Sequence, residues 1–429
     1  MGTPIELKVG PIAVDSGKDS YFNGHNCLFR SDDQCAIPRE RDAGLNSALS
    51  CDAEPLTDEA FVCSLSQVVP RLELLGYTPE TVESAYFRRV EQLPRWEGVE
   101  GEEEGYPDFS AFLDFLIRNP IHTLEEAYVD SCFEYGYVPG RFKNDPFLVK
   151  LEFQTYGSSE AGYVRDLLSF LFASPYSALR ALALVPDNVD ARIVWRYGPL
   201  VEAGWAQASD FEPGVGRSAQ VLIVTEGTSD THILQRAFSL IMPDLADFLR
   251  FLDVGERHPF SGASGLAAFA EGLAAIESST KILFVFDNDA EGWEAFERVS
   301  RLGLSQNMRA VTLPSLPELI NFSTNGPQGL AVCDINRRAA AIECYLDLKL
   351  PGRPEATVTW TNFKKASGTY QGSLDYKESY TKYFLSLTPD SILAGSYDVE
   401  KLRKVLSHIV SECVKVSSYS HSPWYCPES

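Results

Sequence analysis

Two short stretches place carboxylates where a folded chain can hardly leave them idle. In KILFVFDNDAEG, Lys281 to Gly292, an apolar run fit for a buried strand ends on Asp287 and Asp289, one residue apart. Burying either unpaired would cost on the order of several kcal/mol, and clustered hard oxygen donors suit a divalent cation. In VLIVTEGTSD, Val221 to Asp230, a similar run meets Glu226, Gly227 and Asp230. A helix opening near Ser229 would let Glu226, at the strand tip, and Asp230, in the first helical turn, face one point. Neighbouring parallel strands then place four carboxylates within reach of one or two hard cations. Gly227 is expected to permit a tight turn and Gly292 a close approach of backbone to ligand.

The elements that must position these acids follow from the pattern after Ala219. Val221–Thr225, Phe248–Val254, Ile282–Phe286 and Met308–Leu313 read as strands. Between them lie helical periodicities in THILQRAFSLIM, in Leu266–Ile276 behind the Gly-rich turn SGASG (Ser261–Gly265), and in Trp293–Leu302. Alternation of this kind predicts a parallel sheet with helices on both faces, and in such sheets ligands bind beyond the carboxyl ends of the strands. The expected organisation is an α-rich region with a small β prelude over 1–215, an α/β domain over 216–348 and a short α-rich segment over 349–429. Within the first, Phe61–Gly76, Phe109–Ile117 and Val164–Leu184 carry helical spacing; in the last, a helix is expected near Val399–Cys413. Pro213 and Gly214–Gly216 mark the first boundary, and no internal repeat is present.

Composition limits the alternatives. The chain has 429 residues, 45% hydrophobic, enough for two or three domains with sizeable cores. No leader and no apolar run near membrane-spanning length is visible, so a cytoplasmic protein without membrane contact is expected. Nine cysteines include no CxxC pair, which argues for buried thiols over zinc or disulfides. The net charge of -23 opposes a broadly basic nucleic-acid surface, yet a metal-loaded carboxylate site inverts its own local sign. Part of the excess lies in WEGVEGEEEG, Trp96–Gly105, which reads as a solvated loop.

Rival motifs fit poorly. DNDAEG resembles the start of a calcium loop, but position twelve is Arg298 and a strand precedes it. The GxG of Gly214–Gly216 precedes its strand, the wrong order for a dinucleotide fingerprint, and no GxxxxGK[ST] occurs. Helix capping could account for Asp230 or Asp289 singly, though not for two acid clusters at strand ends.

VLIVTEGTSD paired with KILFVFDNDAEG resembles the TOPRIM domain shared by topoisomerases, bacterial primases and the overcoming-lysogenization-defect (OLD) nucleases. The resemblance covers roughly Val221–Leu313 and implies a Rossmann-like fold with Glu226, Asp287 and Asp289 binding Mg2+, Mn2+ being a substitute. Asp230 matches a second acid of the OLD-type branch. The zinc module of primases, the extra domains of type IA topoisomerases and the ATPase of OLD proteins have no counterpart here. The preceding region is similar to the HEPN/TOPRIM-associated N-terminal region of bacterial proteins linked to phage defence, through KVGPIAVDSGKDS and DNVDARIVWRYGPLVEAGW, with DINRRAAAIECYLDL downstream. HEPN ribonucleases pair an Arg with a His four to six residues on; Arg118 and His122 come nearest, but Pro120 interrupts the helix they need. A HEPN-like region without that pair is structural or partner-binding.

Further candidates follow. Glu343 and Asp347, four apart on an expected helix, suit either a second metal or a solvated face. Lys377, in YQGSLDYKESY, could stabilise charge building on a phosphate, as a downstream Lys does in OLD-type nucleases, or simply be exposed; Lys364 and Lys365 compete for that role. His232 and His258 have no paired spacing and are not taken as ligands. Together these readings imply a Mg2+-dependent nuclease, with Glu226, Asp287, Asp289 and Lys377 catalytic and Glu226, Asp230, Asp287, Asp289 and Glu343 at the metal. The expected substrate is DNA rather than RNA, in antiviral defence, with a protein or phage trigger and a homodimer as further expectations. A TOPRIM sensor or scaffold that binds without cutting, and a tRNA-cleaving toxin, are the alternatives.

Overall fold

In a computed structural model, the described residues are 2–39, 56–93, 105–127, 136–156, 159–252, 262–276, 278–350, 352–365 and 368–418. His258, Ser261, the Glu-rich stretch before Gly105 and the tail beyond Ser418 lie outside them. The chain divides into two compact units, one running to Val215 and the other beginning at Gly216. The second continues past Leu348 as one body.

The first unit is built on a five-stranded antiparallel sheet. Its strands are β1 (Pro4–Val9), β2 (Ile12–Lys18), β3 (Gln34–Pro38), β4 (Thr57–Ser64) and β5 (Arg192–Arg196), in the order β2-β1-β5-β4-β3. Among the described residues seven helices accompany it: α1 (Leu65–Leu74), α2 (Pro79–Glu91), α3 (Phe109–Arg118), α4 (Pro146–Leu151), α5 (Glu160–Leu171), α6 (Pro175–Leu182) and α7 (Gly198–Glu202). Helices outweigh strands among the described residues, but the β part is more than a prelude: β3, β4 and β5 lie beyond residue 30 and complete the sheet. The central strand β5 comes about 130 residues after β4, and it pairs through Trp195 with Leu7 on one side and Phe61 on the other. Trp195 is fully buried and stacks with Phe29 and Phe61, each at 6.0 Å between ring centroids. The helical reading of Phe61–Gly76 is likewise half right. The Ser64 backbone N–H donates to Gln67 Oε1 at 2.7 Å, and this capping box starts α1 only at Leu65.

The second unit carries a four-stranded parallel sheet of β6 (Val221–Thr225), β7 (Leu249–Phe251), β8 (Ile282–Phe286) and β10 (Met308–Thr312), ordered β10-β8-β6-β7. Every residue of β6 and β8 is buried, as a sheet covered on both faces requires. Leu222, Val224, Ile282, Phe284 and Phe286 pack against α9 (Gly262–Ala275) and α10 (Ala290–Ser300). The helices α8 (Thr228–Ile241) and α13 (Glu400–Ser418) contact the same strands and each other.

Two smaller ladders frame the strand ends. The residues of β9 (Asn288–Asp289) pair antiparallel with β13 (Ala339–Ala340). A mixed sheet of β11 (Phe322–Gly326), β12 (Gly329–Cys333), β14 (Val358–Lys364) and β15 (Thr369–Leu374) runs in the order β12-β11-β14-β15. Helices α11 (Lys377–Leu385), α12 (Pro389–Leu393) and α13 follow. The region after 349 is therefore mixed, not simply α-rich: a hairpin precedes its helices.

Candidate metal centre

The carboxyl ends of β6 and β8, neighbours in the sheet, deliver the acids of both stretches to one place. Glu226 Oε1 accepts the Asp287 backbone N–H at 2.8 Å, so the two strand ends are joined through a prospective ligand. Asp230, in the first turn of α8, accepts the Gly227 N–H on Oδ2 at 2.9 Å. Asp287 Oδ1 accepts the Ile342 N–H at 3.1 Å, drawing in the short 3-10 turn Ile342–Tyr345 and with it Glu343. Asp289 caps α10, accepting Gly292 N–H on Oδ1 at 2.7 Å. Its Oδ2 accepts from Gln371 Nε2 at 2.6 Å, while Gln371 Oε1 accepts the Ala290 N–H at 2.9 Å and the Glu291 N–H at 3.2 Å.

Between the two aspartates, Asn288 is fully buried. Its Oδ1 accepts the Arg337 N–H at 3.1 Å, and its Nδ2 lies 3.2 Å from both Tyr345 OH and Asn336 Oδ1.

The glycines behave differently from expectation. Gly227 has φ -147, extended backbone open to any residue, so the bend from β6 into α8 does not require glycine there. Gly292 does allow a close approach, to the protein itself: a Cβ there would lie 2.3 Å from the Asp287 carbonyl oxygen and 2.8 Å from Glu226 Oε1.

Crowding of like charges shows in the protonation equilibria. Burial, reinforced by Asp289 and Asp230, pushes Glu226 up to about 8 despite the Asp287 N–H. Burial and then Glu343 raise Asp230 to about 7, against the opposing pull of its hydrogen bonds and of Lys377. Asp287 lies well above the carboxylate range through burial and the combined charges of Asp230, Glu226, Asp289 and Glu343. Asp289 is raised by burial, opposed by its hydrogen bonds from Gly292 and Gln371.

Whether this donor set suits a cation can be judged from Glu343. It is 4% exposed, yet its carboxylate accepts no hydrogen bond from any described residue. A buried, hydrogen-bond-free carboxylate among four others is the chemistry that hard cations satisfy. The set fits Mg2+ in kind. Among the described residues, however, no three His, Cys, Asp or Glu side chains converge on a single ligating point. Each of Glu226, Asp230, Asp287 and Asp289 is turned at least partly onto a backbone N–H, and this divergence is what separates electrostatic proximity from a finished coordination shell.

The other candidates separate. Asp347 is not on a helix with Glu343; its oxygens accept the Lys349 and Asp398 N–H groups at 3.1 Å and hold a turn. Lys377 is exposed at the start of α11 and is the cation that acts on Asp230. Lys364 pairs with Glu291 at 2.7 Å, and Lys365 is exposed. His232 is exposed on α8. In the first unit, Arg118 is committed to Asp145 at 2.9 Å, and α3 ends at Arg118, so His122 beyond Pro120 shares no helix face with it.

Gln371 is the residue that sequence reasoning missed, because an amide 82 positions from its partner leaves no local signal.

The family model of the HEPN/Toprim N-terminal domain 1 matches residues 1–219, half of the chain. The chain belongs to this family. Comparison with curated proteins and with solved structures finds no match. Membership in the HEPN/Toprim family points to a function connected with nucleic acids. Among the described residues no helix is long and apolar enough to cross a membrane.

Proposed function

We propose that the second unit is a TOPRIM-type, metal-dependent nuclease that hydrolyses phosphodiester bonds, acting on DNA in preference to RNA. The observation that carries this is the meeting of Glu226, Asp230, Asp287, Asp289 and Glu343 at adjacent parallel strand ends, with Glu343 buried and unbonded. These five would hold Mg2+ or Mn2+, which when bound would supply an activated water and neutralise charge on a phosphoryl oxygen. Gln371 fixes the orientation of Asp289 and the opening turn of α10 together. Lys377 sets a positive charge beside Asp230, where an added phosphate charge would be countered. In this proposal the first unit recognises a trigger in bacterial antiviral defence, the active form is a homodimer, and the setting is the cytoplasm.

One observation favours a second reading, a sensor or scaffold that binds nucleic acid without cutting it: the absence, among the described residues, of three ligands aimed at one point. Supercoiled plasmid, single-stranded DNA and total tRNA, each incubated with magnesium or manganese, separate the two. Cleavage by the wild type and its loss in Asp287→Ala is the expected result, and the substrate cut distinguishes a DNA nuclease from a tRNA-cleaving toxin. Equal cleavage by both proteins would remove the chemistry from this centre. Binding by both without cleavage would favour the sensor.

A further inference from the structure

Beside the acids runs a groove of about 1,130 Å3 that starts at Ala290 and Glu291, immediately after Asp289, and follows α10 past the first turn of α9. Its charge departs from that of the chain. Arg298, Arg301, Arg337 and Lys364 line it against Glu291, Glu294 and Glu297, whereas the whole chain has 60 acidic and 37 basic residues. Most of these charges are already matched: Lys364 with Glu291, Arg301 with Glu297, and Arg298 with Glu271.

Among the lining cations, Arg337 is the exception in the described structure. Its guanidinium lies over the Trp293 ring at 4.0 Å from the centroid and pairs with no carboxylate among the described residues. Its backbone sits at φ 60, a conformation uncommon for a non-glycine residue, and its N–H is held by Asn288 of the DND motif. A stacked, pre-oriented guanidinium without a counter-ion is suited to a phosphate.

We propose that this groove is the track along which one strand of the nucleic acid reaches the acid centre, with Arg337 on a backbone phosphate. This builds on the nuclease proposal and names the form of its substrate, single-stranded at the point of contact. The 11 residues of α10 rise about 16 Å, room for a few nucleotides. Pockets of several hundred Å3 enclose one drug-sized ligand, and this groove is of the order that a few nucleotides of one strand would occupy. Trp293 has one face under Arg337 and its ring against Phe296 at 5.5 Å. It supports the guanidinium from one side.

The test is fluorescence anisotropy with a labelled 15-nucleotide single-stranded DNA, the same sequence as RNA, and its DNA duplex, in calcium and in EDTA. Wild type, Arg337→Glu and Glu294→Lys are compared. The expected results are single strand bound in preference to duplex, a roughly tenfold loss in Arg337→Glu, and tighter binding with a steeper salt dependence in Glu294→Lys. The gain in Glu294→Lys cannot arise from misfolding. Unchanged affinity in both variants, preference for the duplex, or no binding by the wild type would overturn the assignment. The DNA and RNA arms settle which sugar the strand carries. Cleavage measured in parallel with Asp287→Ala keeps the two proposals apart. Cleavage lost in that variant with binding unmoved by Arg337→Glu removes the groove alone. The expected binding changes without cleavage by any protein remove the nuclease alone.

Discussion

Replacing Asp287 by Asn should make the metal-free protein more stable. The amide keeps its Oδ1 acceptor for the Ile342 N–H and so preserves the local backbone. What it removes is an acid that the fold tolerates at a cost. At pH 8 the folded chain must either keep the Asp287 charge against Glu226, Asp230, Asp289 and Glu343 or take up a proton that the unfolded chain releases. The scale is set by Glu226, whose rise from 4.5 to about 8 corresponds to roughly 5 kcal/mol in favour of its neutral form. Two unit charges about 6 Å apart repel by about 3 kcal/mol at an effective dielectric of about 20. Partial relief of that strain, about 1–3 kcal/mol, raises the melting temperature by about 2–12 °C for a unit of this size. Thermal unfolding at pH 8 in EDTA, followed by circular dichroism, gives the comparison. In millimolar magnesium the order should reverse, because the wild type gains stability by binding and the variant gains much less. A variant that melts below the wild type in EDTA would refute the picture of mutually repelling acids.

Other expectations can be measured in the same way. Because Glu226 and Asp230 titrate near 8 and 7 when folded and near 4 when unfolded, the folded state holds the extra protons between about pH 4 and 8. Metal-free stability should therefore be highest at the acid end of that window and fall as pH rises, by about 1.4 kcal/mol per pH unit for each proton. A flat urea-denaturation profile from pH 5 to 8 would contradict this. Gly292→Ala should destabilise by about 1–3 kcal/mol through overlap with Asp287 and Glu226. Gly227→Ala, whose Cβ meets nothing nearer than Asp230 Oδ2 at 3.4 Å, should stay within about 0.5 kcal/mol, and urea midpoints distinguish the two. Gln371→Ala should cost about 1–2 kcal/mol through the unsatisfied groups it leaves and weaken manganese binding in a calorimetric titration. Lys377→Met should leave the melting temperature unchanged while lowering cleavage by at least about tenfold.

The parts of this fold that the sequence made legible are those written locally. VLIVT and ILFVF are uninterrupted apolar runs ending on acids, so both the strands and the chemistry at their ends could be read from a few residues. What stayed hidden depends on pairing at long range. β5 joins β4 across about 130 residues and β1 across still more, and no feature of RIVWR names its neighbours. Glu343 was legible as an acid but not as part of a 3-10 turn hung on Asp287, and its helical partnership with Asp347 dissolved accordingly. Gln371 and Arg337 gain their roles only from tertiary contacts, one with Asp289 and the other with Asn288 and Trp293.

The amide of Asn288 has a consequence for timing. It sits between the two aspartates and clasps the backbone of Arg337, so the acids and the groove belong to one hydrogen-bonded segment. A strand gripped at Arg337 would restrain that segment before any bond is broken. The entropy of fixing Asp287 and Asp289 would then be met on binding, leaving the chemical step less to organise. Cutting the clasp with Asn288→Ala would uncouple the two, and affinity for a strand would no longer track affinity for metal.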